Sequence, residues 1–281
     1  MTWRVGITHT TEHRYPTPVR SSYNEARLEP RSDRNQTVLS SRVEVSPQAR
    51  LGRHVDYWGT VVHHFDLQVP HTTLTVIGRA VVETATAPVP AGSASWNDLA
   101  GLDVTERFHE LLAPTPVVTA DDRILSAGSD LRDLCEHPRD AVLGAAAWVH
   151  ERLAYEPGST GVRTTAAEVI DRGEGVCQDF AHVTLAVLRS AGIPAWYVSG
   201  YLHPSPDAEV GAAVIGESHA WVAAWVGEVV PVDPTSLAPV AERHVRVAAG
   251  RDYMDVPPFR GVFAGVGEQR LSVEVEVTRL A

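Results

Sequence analysis

The run Gly173-Glu174-Gly175-Val176-Cys177-Gln178-Asp179-Phe180-Ala181-His182 puts a cysteine where a glycine-bearing turn becomes a helix. Residues 177–191 read as that helix, closed by Gly192 and then Pro194. A helix N-terminus offers amide N–H groups without intrahelical partners and a partial positive charge, and both favour a thiolate. The same N–H groups, that of Cys177 included, can receive an oxyanion. A buried, inert cysteine is the competing reading, and this segment by itself does not choose between them.

A nucleophilic cysteine needs a base, and the base needs a group to orient it. Downstream stand Glu217-Ser218-His219-Ala220-Trp221-Val222 and Val230-Pro231-Val232-Asp233-Pro234-Thr235. His219 opens one expected strand and Asp233 closes the next, so hairpin register decides whether they meet. A three-residue loop, Val226-Gly227-Glu228, pairs Trp225 with Val229 and sets His219 diagonal to Asp233 on one face, roughly 7–8 Å apart at Cα. A two-residue loop, Gly227-Glu228, would put them on opposite faces. The chemistry therefore requires the longer loop.

Around these strands the chain reads as segregated elements. Upstream of the cysteine, Thr165-Ala166-Ala167-Glu168 resembles a capping box opening a short helix that Gly173 ends. Residues 138–153 are a stronger helix, with Pro138 in the first turn, and residues 104–112 a shorter one. Residues 195–202, 242–248 and 271–278 read as strands. The first 84 residues read as β-structure: Trp3, Val5 and Ile7 alternate with polar neighbours, residues 38–45 and 61–69 form strands, and residues 74–83 place Leu74, Val76, Gly78 and Ala80 on one side. Residues 85–95, rich in Ala, Pro, Gly and Ser, read as a linker. We expect α+β architecture, with a β-rich, sandwich-like domain over 1–90 and a helix-bearing core over 91–281.

The motifs together resemble the bacterial transglutaminase-like superfamily: Cys177 in GVCQDFAH, Gly192-Ile193-Pro194-Ala195 leading into Tyr197-Val198-Ser199-Gly200-Tyr201, His219 in SHAW and Asp233 in VDPT. Asn24-Glu25-Ala26-Arg27-Leu28-Glu29-Pro30, Asp56-Tyr57-Trp58-Gly59 and Gly250-Arg251-Asp252-Tyr253 resemble the β-rich region and tail of one bacterial branch. The resemblance implies a papain-like core with a helix-borne cysteine packed on an antiparallel sheet. It implies Cys177 as nucleophile, His219 as general base and acid, and Asp233 holding the imidazole. The implied substrate is a peptide or protein amide, with water or a primary amine resolving a thioester. The triad serves crosslinking, deamidating and peptide-cleaving members alike. A catalytically silent peptide- or protein-binding module on the same fold is the alternative.

Composition narrows the field further. The 281 residues carry 24 Lys+Arg against 35 Asp+Glu, a formal charge of −11. That leaves no basic face for nucleic acid. All the basic residues are arginine. No apolar run reaches the ~20 residues of a membrane span, and no signal peptide is read, so we expect a cytoplasmic protein with no membrane partner. Cys135 and Cys177 are too few for a disulfide scaffold, and Cys135 reads as helix packing. His9 and His13 share a strand face, and His63, His64 and His71 are near in sequence, but none has tight metal-ligand spacing, so no cofactor or metal is implied. His182 reads as a packed helix residue. At least two of Trp196, Trp221 and Trp225 read as packing. Gln178, Trp148 and Tyr155 all carry donors for an oxyanion, and none stands out.

Overall fold

Alternation lays down the first sheet. In the computed structural model, which describes residues 2–86, 92–216, 218–267 and 269–281, β1 (Thr2–Val19) turns Trp3, Val5 and Ile7 inward, and the same face runs on through His9, Thr11 and His13 to Tyr15. β2 (Ser22–Ala26), β3 (Gln36–Ser46), β4 (Gly52–Val55), β5 (Val61–Leu67) and β6 (His71–Ala85) follow. β6 buries Leu74, Val76, Gly78 and Ala80 on one side, as its period-2 pattern predicts. The short strands β2 and β4 have too few residues to show a period, and sequence reading passes over them.

The helical part opens with three short helices, α1 (Trp96–Ala100), α2 (Leu102–Arg107) and α3 (His109–Leu112). The helix expected over 104–112 is thus broken at Phe108, whose φ of −114° and ψ of 20° leave the helical region. α4 (Asp122–Leu134) starts at Asp121, whose carboxylate accepts from the Ile124 amide at 2.9 Å. α5 (Pro138–His150) has Pro138 in its first turn. After β7 (Ala154–Tyr155), α6 (Ala166–Arg172) carries a complete Thr165/Glu168 capping box and ends at Gly173, whose φ of 70° suits glycine. β8 (Glu174–Gly175) then leads into α7 (Cys177–Ser190). Phe180, Val183, Leu185, Val187 and Leu188 of α7 are all buried, so this helix is the centre of the core. It packs against α4, α5 and α6 on one side and the sheet on the other.

That sheet is antiparallel, in the order β12-β11-β9-β13, from β9 (Ala195–Leu202), β10 (Ala213–Gly216) lying elsewhere, β11 (His219–Trp225), β12 (Val229–Val232) and β13 (His244–Gly250). The last strands, β14 (Phe259–Phe263) and β15 (Arg270–Arg279), return to the beginning of the chain. β14 pairs with β2 and β15 with β1, and β10 pairs with the outer side of β15. The resulting sheets are β10-β15-β1-β6-β3 and β14-β2-β5-β4. Tyr15, Leu28, Phe65, Leu67, Leu74 and Val76 form a core between them, with Phe259 and Phe263 packed against it. The boundary expected at 90/91 falls within residues 87–91, outside the described residues. Three strands from beyond it, β10, β14 and β15, are built into the sheets of the first 85 residues. Among the described residues no helix is long and apolar enough to cross a membrane.

Candidate active site

Cys177 is the first residue of α7, with Val176 as N-cap. The start of the helix is held by Asp179, whose Oδ2 accepts from the Val176 amide at 2.8 Å and from Thr160 Oγ1 at 2.6 Å. Asp179 is fully buried, and burial raises its pKa against those hydrogen bonds. Gly175 makes room for it: a Cβ there would lie 2.7 Å from the Asp179 Cβ. The Asp179 and Phe180 amides turn back onto the Val176 carbonyl. The Cys177 and Gln178 amides, at the first two helical positions, have no partner within the helix. Cys135 and Cys177 are both free thiols.

The hairpin takes the three-residue loop. Trp225 faces Val229, Ala224 faces Val230 and Val222 faces Val232. Gly227, with φ of 91°, makes the turn, and the Val226 amide closes it onto the Glu228 carbonyl at 2.9 Å. His219 and Asp233 therefore share a face, and His219 Nε2 lies 2.9 Å from Asp233 Oδ2. That leaves Nδ1 clear of the acid, and Cys177 lies near enough to the ring to favour its charged form. Cys177 Sγ is 3.9 Å from the Ser218 carbonyl. Glu217, at the head of the quoted motif, is outside the described residues.

Burial would strip the proton from His219, but the hydrogen bonds and charges of Asp233 and Cys177 outweigh it and raise its pKa to about 9. Asp233 is fully buried. Burial pushes its pKa up, yet hydrogen bonds from His219 and Ser236, with the His244 ring close by, hold it far below the usual carboxylate range. Ser236 Oγ donates to Oδ2 at 2.7 Å and the Thr235 amide to Oδ1 at 3.0 Å.

His244 is the residue sequence reading missed. It comes from β13, on the far side of β9 from β11. Its Nδ1 accepts the Ala241 amide at 3.3 Å, so Nε2 carries the proton, and Nε2 lies 3.6 Å from Asp233 Oδ2. Burial lowers the His244 pKa more than Asp233 raises it, which keeps the ring neutral. Trp221 stacks beside His219, with ring centroids 6.1 Å apart, and meets His244 edge-on at 5.3 Å, sealing the pair from water. Gly200 lets it lie there, since a Cβ would come within 2.7 Å of the indole. Trp196 and Trp225 pack on Phe108 instead. His182 is buried in α7 and accepts the Tyr253 amide at 3.2 Å.

His219, Asp233 and His244 also offer ligand atoms within 4.8 Å of one another. The 2.9 Å His219–Asp233 separation is a hydrogen bond, and a cation would have to displace its proton. Tyr155 is half-exposed and Trp148 lies under the Arg152 guanidinium, 4.2 Å from its ring. A hollow of about 670 Å³ lies on the β14-β2-β5-β4 sheet and is lined by none of Cys177, His219 and Asp233.

Known proteins resemble the chain along its length. The profile of the transglutaminase-like superfamily matches residues 127–234, and that of the bacterial transglutaminase-like N-terminal region matches residues 5–83. The chain is 47% identical to "Uncharacterized protein ML0607" of Mycobacterium leprae over 279 residues, 99% of this chain and 100% of that one. It is 29% identical over 141 residues, 48% of this chain and 21% of the other, to a protein-glutamine gamma-glutamyltransferase of Pseudomonas aeruginosa. The crystal structure of "a Putative Cysteine Protease from Cytophaga hutchinsonii" superposes with a TM-score of 0.77 at 21% identity, covering 100% of this chain and 92% of that one, a likeness of fold. The chain belongs to the transglutaminase-like superfamily, with the bacterial transglutaminase-like N-terminal region ahead of the core.

Proposed function

We propose that the protein is a cysteine-dependent enzyme that opens amide bonds through a thioester, with Cys177, His219 and Asp233 as its triad. One observation carries this reading: His219 Nε2 is spent on the buried Asp233 carboxylate, 2.9 Å away, while the ring's charge responds to Cys177 nearby. In the first step His219 holds the proton given up by the thiol while sulfur bonds the amide carbonyl carbon. The C–N bond then breaks, and His219 returns the proton to the leaving amine. In the second, water or a primary amine loses a proton to His219 and attacks the thioester. The C–S bond breaks and the proton returns to sulfur. The free amides of Cys177 and Gln178 at the α7 N-terminus are suitably placed donors for the oxyanion in both steps. The gamma-glutamyltransferase relative supports a glutamine carboxamide as acyl donor.

The test is mass spectrometry of a peptide library incubated with the protein, with and without a primary amine, the Cys177→Ala variant serving as control. Amine adducts on glutamine mark a transferase. Deamidated or cleaved peptides indifferent to amine mark a hydrolase. Peptides left unchanged, with Cys177 alkylated by iodoacetamide no faster than in His219→Ala, would refute the reading.

A further inference from the structure

A hollow of about 360 Å³ opens between the two sheets of the β-sandwich, and Ser218 and Tyr253 form part of its wall. The Ser218 carbonyl is the group 3.9 Å from Cys177 Sγ, so this hollow adjoins the nucleophile. Its size falls within the range of small-ligand sites.

The inward face of β1 changes character where the hollow begins. Trp3, Val5 and Ile7 pack on the core, and then come His9, Thr11 and His13, all buried and all lining the hollow. Polar groups cost free energy on a sandwich interior unless they are hydrogen-bonded. His9 is satisfied, with Nδ1 3.0 Å from the Tyr201 hydroxyl and Nε2 3.2 Å from Thr11 Oγ1. His13 is not. Its Nδ1 lies 3.2 Å from Gln269 Oε1, an acceptor, so Nδ1 holds the proton and Nε2 is left as a bare acceptor, buried and without a partner.

β15 tells the same story from the neighbouring strand. Val277 and Val275 are buried, whereas Val273 and Leu271, opposite Thr11 and His13, are 40% and 57% exposed although they lie on the same inward face. The sheet is uncovered there. Among the described residues β10 pairs with β15 as far as Gly216 opposite Val275. Among the described lining residues Arg260 is the charged side chain, and no carboxylate stands ready to pair a cation.

Resting on the function proposed above, the geometry points to this hollow as the seat for an uncharged, hydrogen-bond-donating side chain of the acyl-donor peptide, close in sequence to the glutamine whose amide is attacked. A carboxamide or hydroxyl group supplies the proton that His13 Nε2 lacks. Among the described lining residues a lysine or arginine finds no counter-charge and meets Arg260.

The test uses hexapeptides with one central glutamine and each flanking position varied. Turnover is read with the wild-type protein and binding with Cys177→Ala. At one flanking position Asn, Gln, Ser, Thr or Tyr should exceed Lys or Arg by about tenfold, a difference of ~1.4 kcal/mol. Leu271→Trp, filling the hollow from an exposed position, should erase that preference, with the loss in KM and not in kcat. Leu143→Trp, exposed on α5, should keep it. Arg260→Glu should readmit Lys and Arg. Preference indifferent to both Leu271→Trp and Arg260→Glu would overturn the proposal. Peptide binding that depends on Leu271, in a protein that turns nothing over, would overturn the proposed chemistry and leave the pocket standing. Neither binding nor turnover would overturn both.

Discussion

Two regions of this molecule bury histidine with opposite results. In the core, His219 sits against Asp233 and holds its proton up to a pH of about 9. On the inner face of the sandwich, His9 is buried to a similar degree against a tyrosine and a threonine, and burial drives its pKa down to about 4. Low dielectric alone discharges an imidazole, and one buried carboxylate reverses the sign. The core thus has a base kept protonated and ready to trade that proton with sulfur. The sandwich has neutral rings suited to hydrogen bonding.

Removing the carboxylate should break the contrast most severely. In Asp233→Asn, His219 is expected to behave as His9 does, and alkylation of Cys177 at pH 7 should slow on the order of a thousandfold. Stopped-flow alkylation measures it, and a loss below tenfold would detach Asp233 from the chemistry.

The same contrast shapes stability against pH. His219 binds its proton more tightly folded than unfolded, so its contribution is complete below pH 6.5 and drains away as pH rises through about 9. His9 binds its proton more weakly folded, so its contribution is complete above pH 6.5 and drains away as pH falls toward about 4. Each of these two contributions is worth as much as about 3 kcal/mol. Urea unfolding from pH 4 to 10 should trace a dome. His9→Gln should make the acid side shallower, and Asp233→Asn should remove the alkaline limb and steepen the acid side, because His219 then loses its charge to burial as His9 does. A flat alkaline limb in the wild type would mean that His219 is not charged when folded.

Smaller changes sharpen the account of what steadies the acid. His244→Leu removes an N–H directed at Asp233 and should slow alkylation about tenfold. Ser236→Ala removes one hydroxyl from the same oxygen and should cost about threefold, ~0.7 kcal/mol. A larger loss for Ser236→Ala than for His244→Leu would reverse their order of importance.

Much of the site could be read from the chain because its parts are local. The Thr165–Glu168 box, Gly173 and the cysteine at a helix start are short-range signals, and caps and turns act within a few residues. The three-residue loop followed from requiring His219 and Asp233 to meet. His244 was out of reach: it stands 11 residues beyond Asp233 (244 against 233) and arrives across β9, in a pairing that nothing nearby announces. β14 and β15 were harder still. One was not read at all, and the other read well as a strand but gave no sign that it would pair with β1.

The amino-acid sequence by itself determined the helix that Cys177 opens, the hairpin that carries His219 and Asp233, and the period of each long strand. These depend on backbone propensity, capping and alternation, which act between close neighbours in the chain. Only the tertiary structure decided which charges survive burial, which second histidine reaches Asp233, and that strands from both ends of the chain leave a hollow beside Cys177. Those outcomes depend on desolvation and on contacts between residues hundreds of positions apart, and no local pattern encodes them.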